Sequence, residues 1–191
     1  DSRGNYSTAA WYYDLAYRHS HEDEEVAIEL AEQFKSIGNY TKAEYTLTNA
    51  IRTNPSAELY AALSRIFVEQ DKLLDAVNML DNIADSTIKA QLDPMRPAAP
   101  SSDPIPGYYS QYISVKLDST DAVLHYSTNG EYPSTDNQPY TEPFTLEGGE
   151  TTVYAVAVAD NGLVSPLSIL GFTVGGVIEE VTFADSAVER A

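Results

Sequence analysis

The stretch GNYTKAEYTLTNA at residues 38–50 decides the fold of the N-terminal half, because the same pattern occurs 34 residues earlier as GNYSTAAWYYDLA at residues 4–16. Both copies open with glycine, asparagine and tyrosine, and two alanines of each copy stand at matching positions. A pattern that returns at a fixed period of this length is typical of stacked helical repeats, whose units bury their apolar faces against one another. The sequence therefore predicts a helical repeat architecture here.

The segment 24–55 carries the most complete unit of this pattern. Apolar and small residues recur at helical spacing up to Gly38-Asn39, which interrupts them, and a second helical run then continues to Asn54-Pro55. Alanines in both runs allow two helices to approach closely, and the proline can end the second helix. The pattern predicts a helix, a short turn and an antiparallel helix.

These residues resemble the tetratricopeptide repeat, a family of helical hairpins. The positions that carry the resemblance are Leu30, Ala31, Phe34, Gly38, Tyr40, Ala43, Leu47, Ala50 and Pro55. A further copy, from residue 57 to about residue 84, departs from the family pattern at Asp71, where glycine is usual, and at Ile83, where a small residue is usual. The resemblance implies an α-α superhelix of antiparallel hairpins over residues 1–93.

The first copy begins at Gly4, so we expect only the second helix of its hairpin to be present and the chain to start within a repeat. About three repeats are normally needed for a stable stack. Two and a half repeats should therefore be marginal unless another element caps them. We expect the aromatic N-terminal edge near Trp11 to be covered by a neighbouring molecule in a crystal, by a second copy of the chain in a homodimer or by a local rearrangement.

The same resemblance implies a protein-binding surface on the concave side, which the first helix of each hairpin lines. By position, the candidate residues are Glu25, Ile28, Glu32 and Lys35 in the complete repeat and Glu58, Ala61, Arg65 and Glu69 in the next. Mixed charges on an exposed helix face are also ordinary, so a solvated face stays open as the alternative. The acidic and histidine residues at 19–25 are explained by the preference for acids in the first turn of a helix, and no metal site is predicted there.

Residues 94–107 hold five prolines and show neither helical nor strand periodicity. Dense proline favours an extended, semi-rigid connection over a flexible one. We therefore predict a linker at 94–107, between a helical domain at 1–93 and a second domain at 108–175.

Beyond this segment the hydrophobic period changes from that of a helix to that of a strand. Ile113, Val115 and Leu117 alternate with polar residues, and β-branched and aromatic runs follow at 122–126 and 152–158. Turn signals, Asn-Gly and Asp-Asn-Gly, separate the runs. Short strands joined by such turns favour a seven-stranded β-sandwich. The expected fold class is multidomain α and β.

The segment AVLHYSTNGEYPSTDNQPYTEPFTLEGGETTVYAVAVADNGLVS, residues 122–165, resembles the immunoglobulin-like domain at the C-terminus of chitobiases and β-hexosaminidases. The resemblance extends over about residues 100–174. It implies an accessory domain without catalytic residues, of a kind also found in bacterial surface proteins. The tail at 176–191 shows a strand pattern followed by a helical one, and it faintly resembles the start of a leucine-rich repeat region.

Aromatic residues are the candidate ligand contacts of the predicted sandwich, because sugar rings can stack on exposed aromatic side chains. The candidates are Tyr108, Tyr109, Tyr112, Tyr132 and Tyr140. Packing in the core and at the edges is the alternative for all of them. His125 has no serine, cysteine or acid in a triad arrangement around it, and the aspartates lack the spacing of a calcium loop. We predict no catalytic residue, metal site or cofactor.

The charge of the chain excludes several classes of partner. It has 11 Lys and Arg against 29 Asp and Glu, a net charge of −18, so nucleic acid and anionic membranes would repel it. It has no cysteine, which excludes disulfides and thiolate ligands, and no apolar run long enough for membrane insertion.

The sequence as a whole favours a non-enzymatic interaction module of a larger bacterial cell-envelope protein, with a protein or peptide partner. The alternatives are a carbohydrate-binding module and the accessory region of a glycoside hydrolase.

Overall fold

The structure is a computed structural model that describes residues 23–137 and 139–175, together with Thr8, Trp11, Tyr12 and Leu15. Most of the first repeat copy and the whole tail at 176–191 lie outside the described residues. Trp11 and Tyr12 are both exposed, and their rings meet edge to face at a centroid distance of 5.0 Å. The predicted homodimer at this edge stays a prediction.

Residues 23–95 of the N-terminal half contain five α-helices. They are α1 (Glu24–Ser36), α2 (Tyr40–Thr53), α3 (Ala57–Glu69), α4 (Leu73–Asp81) and α5 (Ser86–Leu92), followed by a 3-10 turn at Asp93–Met95. Helix α1 packs on α2, α2 on α3 and α3 on α4. The helix, turn and helix predicted from the repeat are confirmed, while membership of the tetratricopeptide family stays a resemblance.

Local signals set the ends of these helices. Asp23, Asn39 and Ser56 cap the starts of α1, α2 and α3, each accepting a hydrogen bond from a backbone N–H of the first turn. Gly38 has a φ of +73°, a left-handed conformation that glycine adopts without strain, and it reverses the chain after α1. Leu30, at the centre of α1, is fully buried against the neighbouring helices.

Seven strands form two sheets in the described C-terminal half. They are β1 (Ser101–Asp103), β2 (Gly107–Tyr109), β3 (Ile113–Asp118), β4 (Val123–Ser127), β5 (Phe144–Leu146), β6 (Gly149–Val158) and β7 (Ser168–Val174). One sheet has the order β1-β3-β5 and the other the order β2-β7-β6-β4. Neighbouring strands are antiparallel except β2 and β7, which are parallel. The predicted seven-stranded sandwich is confirmed.

Side chains alternate between two environments along β6. Val153, Ala155 and Ala157 point into the core between the two sheets. Val156 points to the opposite face, where a strand residue would ordinarily meet solvent, yet it is only 1% exposed. The outer face of the four-stranded sheet is therefore covered near Val156, and the helical half is the element that covers it.

The segment predicted as a linker at 94–107 is part of the folded structure. Strand β1 lies within it and pairs with β3, so that Ser101 stands opposite Asp118 and Asp103 opposite Lys116. Strand pairing uses backbone N–H and C=O groups, so three polar residues at a sheet edge need no alternating pattern. The sandwich therefore begins at Ser101 rather than at residue 108.

Candidate functional site

An apolar core shared by the two halves is the central feature of the described residues. Its members from the helical half are Ala57, Leu73, Ala76, Val77, Leu80, Ile83, Ile88 and Leu92, and those from the sandwich are Val156, Leu163 and Val164. Leu163 and Val164 follow the turn after β6 and are both 0% exposed. The sandwich thus covers the apolar face that helices α4 and α5 present at this end of the helical half.

Asp71 joins the turn between α3 and α4 to the sandwich. Its φ is +58°, the left-handed conformation for which the repeat family uses glycine. Its carboxylate accepts hydrogen bonds from the Ser134 hydroxyl at 2.6 Å, from the Thr135 hydroxyl at 2.9 Å and from the Thr135 backbone N–H. Glycine would fit the turn but could make none of these bonds. The departure from the family pattern at Asp71 therefore has a structural reason.

The pKa of Asp71 reflects these contacts. Partial burial, the largest single influence, raises the pKa. Hydrogen bonds from Ser134 and Thr135, together with nearby His125, favour the carboxylate and outweigh burial, so the pKa lies below its ordinary value. Asp71 is therefore a carboxylate at neutral pH, and its stabilising contribution is lost only when the pH falls below about 3.8.

His125, on β4, contacts the loop that contains Ser134 and Thr135. Its Nδ1 lies 3.1 Å from the backbone oxygen of Ser134, and because that oxygen only accepts, Nδ1 carries the proton. Burial lowers the pKa of His125, and this effect outweighs the opposing influences of the Ser134 carbonyl and the Asp71 carboxylate. The imidazole is therefore a neutral hydrogen-bond donor at neutral pH.

A pH titration of stability should reveal this neutral imidazole. Folded His125 binds a proton less readily than His125 of the unfolded chain does. The contribution of His125 to the free energy of unfolding should therefore be fully present above about pH 6.5 and should decrease as the pH falls from there. His125→Asn can still donate to the Ser134 carbonyl but does not titrate. In chemical denaturation between about pH 7.5 and pH 5, the decrease should be smaller for this variant; equal slopes for the two proteins would contradict the assignment.

Arg96 connects the end of the helical half to the sandwich. Its side chain is 5% exposed; Nη2 donates to the Asp81 carboxylate at 2.7 Å, and Nε donates to the backbone oxygen of Val164 at 2.9 Å. The Asn161 side chain donates to the backbone oxygen of Met95 at 3.2 Å beside it. The predicted linker therefore makes specific polar contacts with both halves.

Gly162 lets helix α3 approach the turn after β6. The Ser64 hydroxyl donates to the Gly162 backbone oxygen at 2.8 Å. A Cβ at position 162 would stand 2.0 Å from Cγ of Arg65, and the φ of +79° also favours glycine. The stem of Arg65 therefore lies directly against this turn.

The structure brings together three of the predicted protein-binding residues. Lys35 contacts Glu32 at 2.6 Å and Glu69 at 3.1 Å, and the Tyr40 hydroxyl lies 3.5 Å from the other carboxylate oxygen of Glu69. Burial, the largest influence, lowers the pKa of Lys35, but its two carboxylate partners outweigh it and raise the pKa above the ordinary value. This cluster ties α1 to α3 across adjacent repeats.

The other predicted residues of the concave face divide into two groups. Glu25 and Glu58 are exposed at the starts of α1 and α3, and Ile28 is half-buried against the core. Ala61 and Arg65 lie against the sandwich, which narrows the expected groove. A cleft of about 220 Å³ remains, and its lining includes Arg65, Val68, Glu69, Val158, Ala159, Asp160 and Gly162.

The five tyrosines predicted as sugar contacts also divide. Tyr140 packs edge to face on Tyr126 and accepts a hydrogen bond from the backbone N–H of Leu117, and the Tyr109 hydroxyl donates to the backbone oxygen of Ile105. These two are partly buried and serve packing. Three remain exposed on the surface: Tyr108, Tyr112 and Tyr132.

The sequence did not predict one aromatic contact. Tyr154 on β6 lies against Tyr132, with ring centroids 5.3 Å apart and the rings inclined by 58°. Within the part of the chain that the structure describes, no group of three or more histidine, aspartate or glutamate side chains is arranged to hold a metal ion.

The comparison with family models locates a resemblance in the second half of the chain. The model of the chitobiase/β-hexosaminidase C-terminal domain family matches residues 104–168. Among solved structures, fibronectin(III)-like modules of CbhA from Clostridium thermocellum are 14% identical, with a TM-score of 0.29, over 47% of this chain and 52% of that chain. The chain thus spans about half the length of that structure, and none of the curated proteins matches it. The sandwich is therefore similar to the chitobiase/β-hexosaminidase C-terminal domain, as its sequence predicted.

Proposed function

We propose that the chain is a rigid, non-enzymatic module of a bacterial cell-envelope or extracellular protein, in which helical repeats contact a protein partner and the sandwich holds them in place. The observation that supports this most strongly is the core that Leu163 and Val164 share with helices α4 and α5. Relative motion of two domains is the default unless their interface is well packed and apolar. Here movement would expose side chains that are fully buried.

The family match supports the accessory role and the location. The matching model is named for a C-terminal domain of chitobiases and β-hexosaminidases, and it covers residues 104–168. This match also supports the second candidate, the accessory region of a glycoside hydrolase. Among the described residues, no helix is long and apolar enough to cross a membrane.

The proposed contact surface is the open part of the concave face. Lys35 pairs with Glu32 and Glu69, and Arg65 lies against the sandwich, so among the predicted residues the exposed carboxylates of Glu25 and Glu58 are the charges available to a partner. With a net charge of −18 on the whole chain, this surface favours a partner that presents a basic segment.

Charge reversal tests this surface. The double variant Glu25→Lys and Glu58→Lys should slow association with a partner cross-linked in the envelope fraction, by about tenfold at low salt. The matched control is Glu142→Lys with Glu147→Lys, which makes the same change of charge on exposed residues of the sandwich. Surface plasmon resonance gives both association rates. If the two double variants bind alike, the concave face is not the contact.

A further inference from the structure

Among the described residues, the helices cover one end of the outer face of the four-stranded sheet and leave the other end open. Strand register shows which side chains occupy the uncovered end, because Phe172 and Tyr109 point into the core and their neighbours point outward. The outward residues of the uncovered end are Glu150, Thr152 and Tyr154 on β6, Ile169, Gly171 and Thr173 on β7, and Tyr108 on β2.

Three apolar side chains form one end of this surface: Tyr132, Tyr154 and Ile169. We call these three side chains the tyrosine platform. Tyr154 and Ile169 are direct cross-strand partners, and the ring of Tyr132 inclines over Tyr154. Tyr132 is 52% exposed and Ile169 is 63% exposed. Large apolar side chains on this surface are therefore left in contact with water, although neighbouring residues of the same strands point into the sandwich core.

A flat floor extends from the platform along the strands. Thr152 stands opposite Gly171, where the absence of a side chain leaves open space above the sheet. Tyr108 stands opposite Thr173 at the far end and is 71% exposed. Tyr154 pairs with Ile169, and Thr173 lies four residues after Ile169 on β7. This separation is about 13 Å along the strand. The surface therefore suits an extended ligand with two points of contact.

The charges around the surface restrict its ligand. Between residues 101 and 175 the only lysine or arginine is Lys116, which lies on β3 in the other sheet. The loop of Tyr132 carries Glu131, and the strand of Tyr154 carries Glu150. The described residues of this face offer no cation to an anionic ligand, whereas the hydroxyl groups of a ligand can donate to the carboxylates and threonines. The chemistry that fits is neutral, rich in hydroxyls and apolar on its C–H faces.

The size of the surface argues against a protein as its ligand. A stable protein interface buries about 800 Å² on each partner. A fully buried tyrosine contributes about 150–250 Å², so the partly exposed apolar groups of the tyrosine platform amount to well under half of that requirement. A sugar ring has a much smaller footprint and stacks on one aromatic face.

We propose that the uncovered end of this face binds a neutral oligosaccharide, with one sugar on the tyrosine platform and the chain running over Thr152 and Gly171 towards Tyr108. The helical half positions the site, because Asp71 holds Ser134 and Thr135 in the loop that presents Tyr132. The sugar site is independent of the partner surface at Glu25 and Glu58, so either proposal can fail without the other.

Calorimetric titration of the whole chain with neutral oligosaccharides of glucose, mannose and N-acetylglucosamine tests the site. Binding of at least one series is expected, and Tyr132→Ala should weaken it about tenfold, the loss of one stacking contact. Tyr112→Ala is the matched control, because Tyr112 is an exposed tyrosine that directly precedes β3 of the other sheet. It should leave the affinity unchanged.

Asp71→Gly tests the positioning role without straining the turn, since glycine accepts the left-handed conformation. We expect a smaller loss of affinity than for Tyr132→Ala, with NMR signals of residues 131–135 shifted and those of Tyr108 unchanged. Three results would overturn the proposal: no neutral oligosaccharide binds the folded chain, Tyr132→Ala and Tyr112→Ala weaken binding equally, or only charged glycans or proteins bind.

Discussion

Replacing Leu163 by alanine should cost about 2–5 kcal/mol of unfolding free energy, the range for a large apolar side chain removed from a packed core. Leu163 is 0% exposed and belongs to the core shared by helices and sandwich, so the loss falls on the contact between the two halves. Chemical denaturation followed by circular dichroism measures it. In this variant the helical and strand signals should also unfold at separate midpoints, because the substitution weakens the shared core that couples the two halves.

The control for this variant is Leu117→Ala. Leu117 is equally buried but lies in the core between the two sheets, away from the helices. A similar loss of stability is expected, without separation of the helical and strand midpoints. If Leu163→Val, which leaves a smaller cavity, had no effect and Leu163→Ala behaved like Leu117→Ala, the shared core would not couple the two halves.

Removal of the Arg96 guanidinium should have the second largest effect. Arg96→Met keeps the apolar stem but leaves the Val164 carbonyl and the Asp81 carboxylate without their partner. The expected loss is about 2–3 kcal/mol, typical of a buried hydrogen bond to a charged group. Thermal and chemical unfolding both report it.

Lys116→Met is the matched control, since Lys116 is exposed and its contact with Asp118 is 3.9 Å long. Exposed pairs of this kind contribute little, so the loss should stay within about 0.5 kcal/mol. Equal losses for Arg96→Met and Lys116→Met would show that the buried guanidinium does not join the two halves.

Much of the fold could be predicted because its periodicities are local. Helical spacing around Leu30 and strand alternation at Val115 depend on one buried face, and that face leaves a pattern in the sequence. Strand β1 leaves no such pattern, because it pairs through backbone groups at a sheet edge. Prolines on both sides of β1 predict a linker, although contacts with both halves of the chain fix this segment.

The contacts between the halves were harder to predict, although one signal was present. Asp71 stands where the repeat needs a left-handed residue, and a non-glycine residue there implies a compensating contact elsewhere. Its partners Ser134 and Thr135 lie more than 60 residues further along the chain, at a distance that no periodicity encodes. Tyr154 was missed for a similar reason, since strand alternation cannot show that a loop residue covers it.

The most direct test of the proposed rigid module is a distance distribution between the two halves. The chain has no cysteine, so cysteines introduced at exposed Arg52 on α2 and Glu147 near β5 accept spin labels without side reactions. Pulsed electron paramagnetic resonance should give a single narrow distance, and Leu163→Ala should broaden it. A broad distribution in the otherwise unaltered chain would contradict a rigid connection between repeats and sandwich.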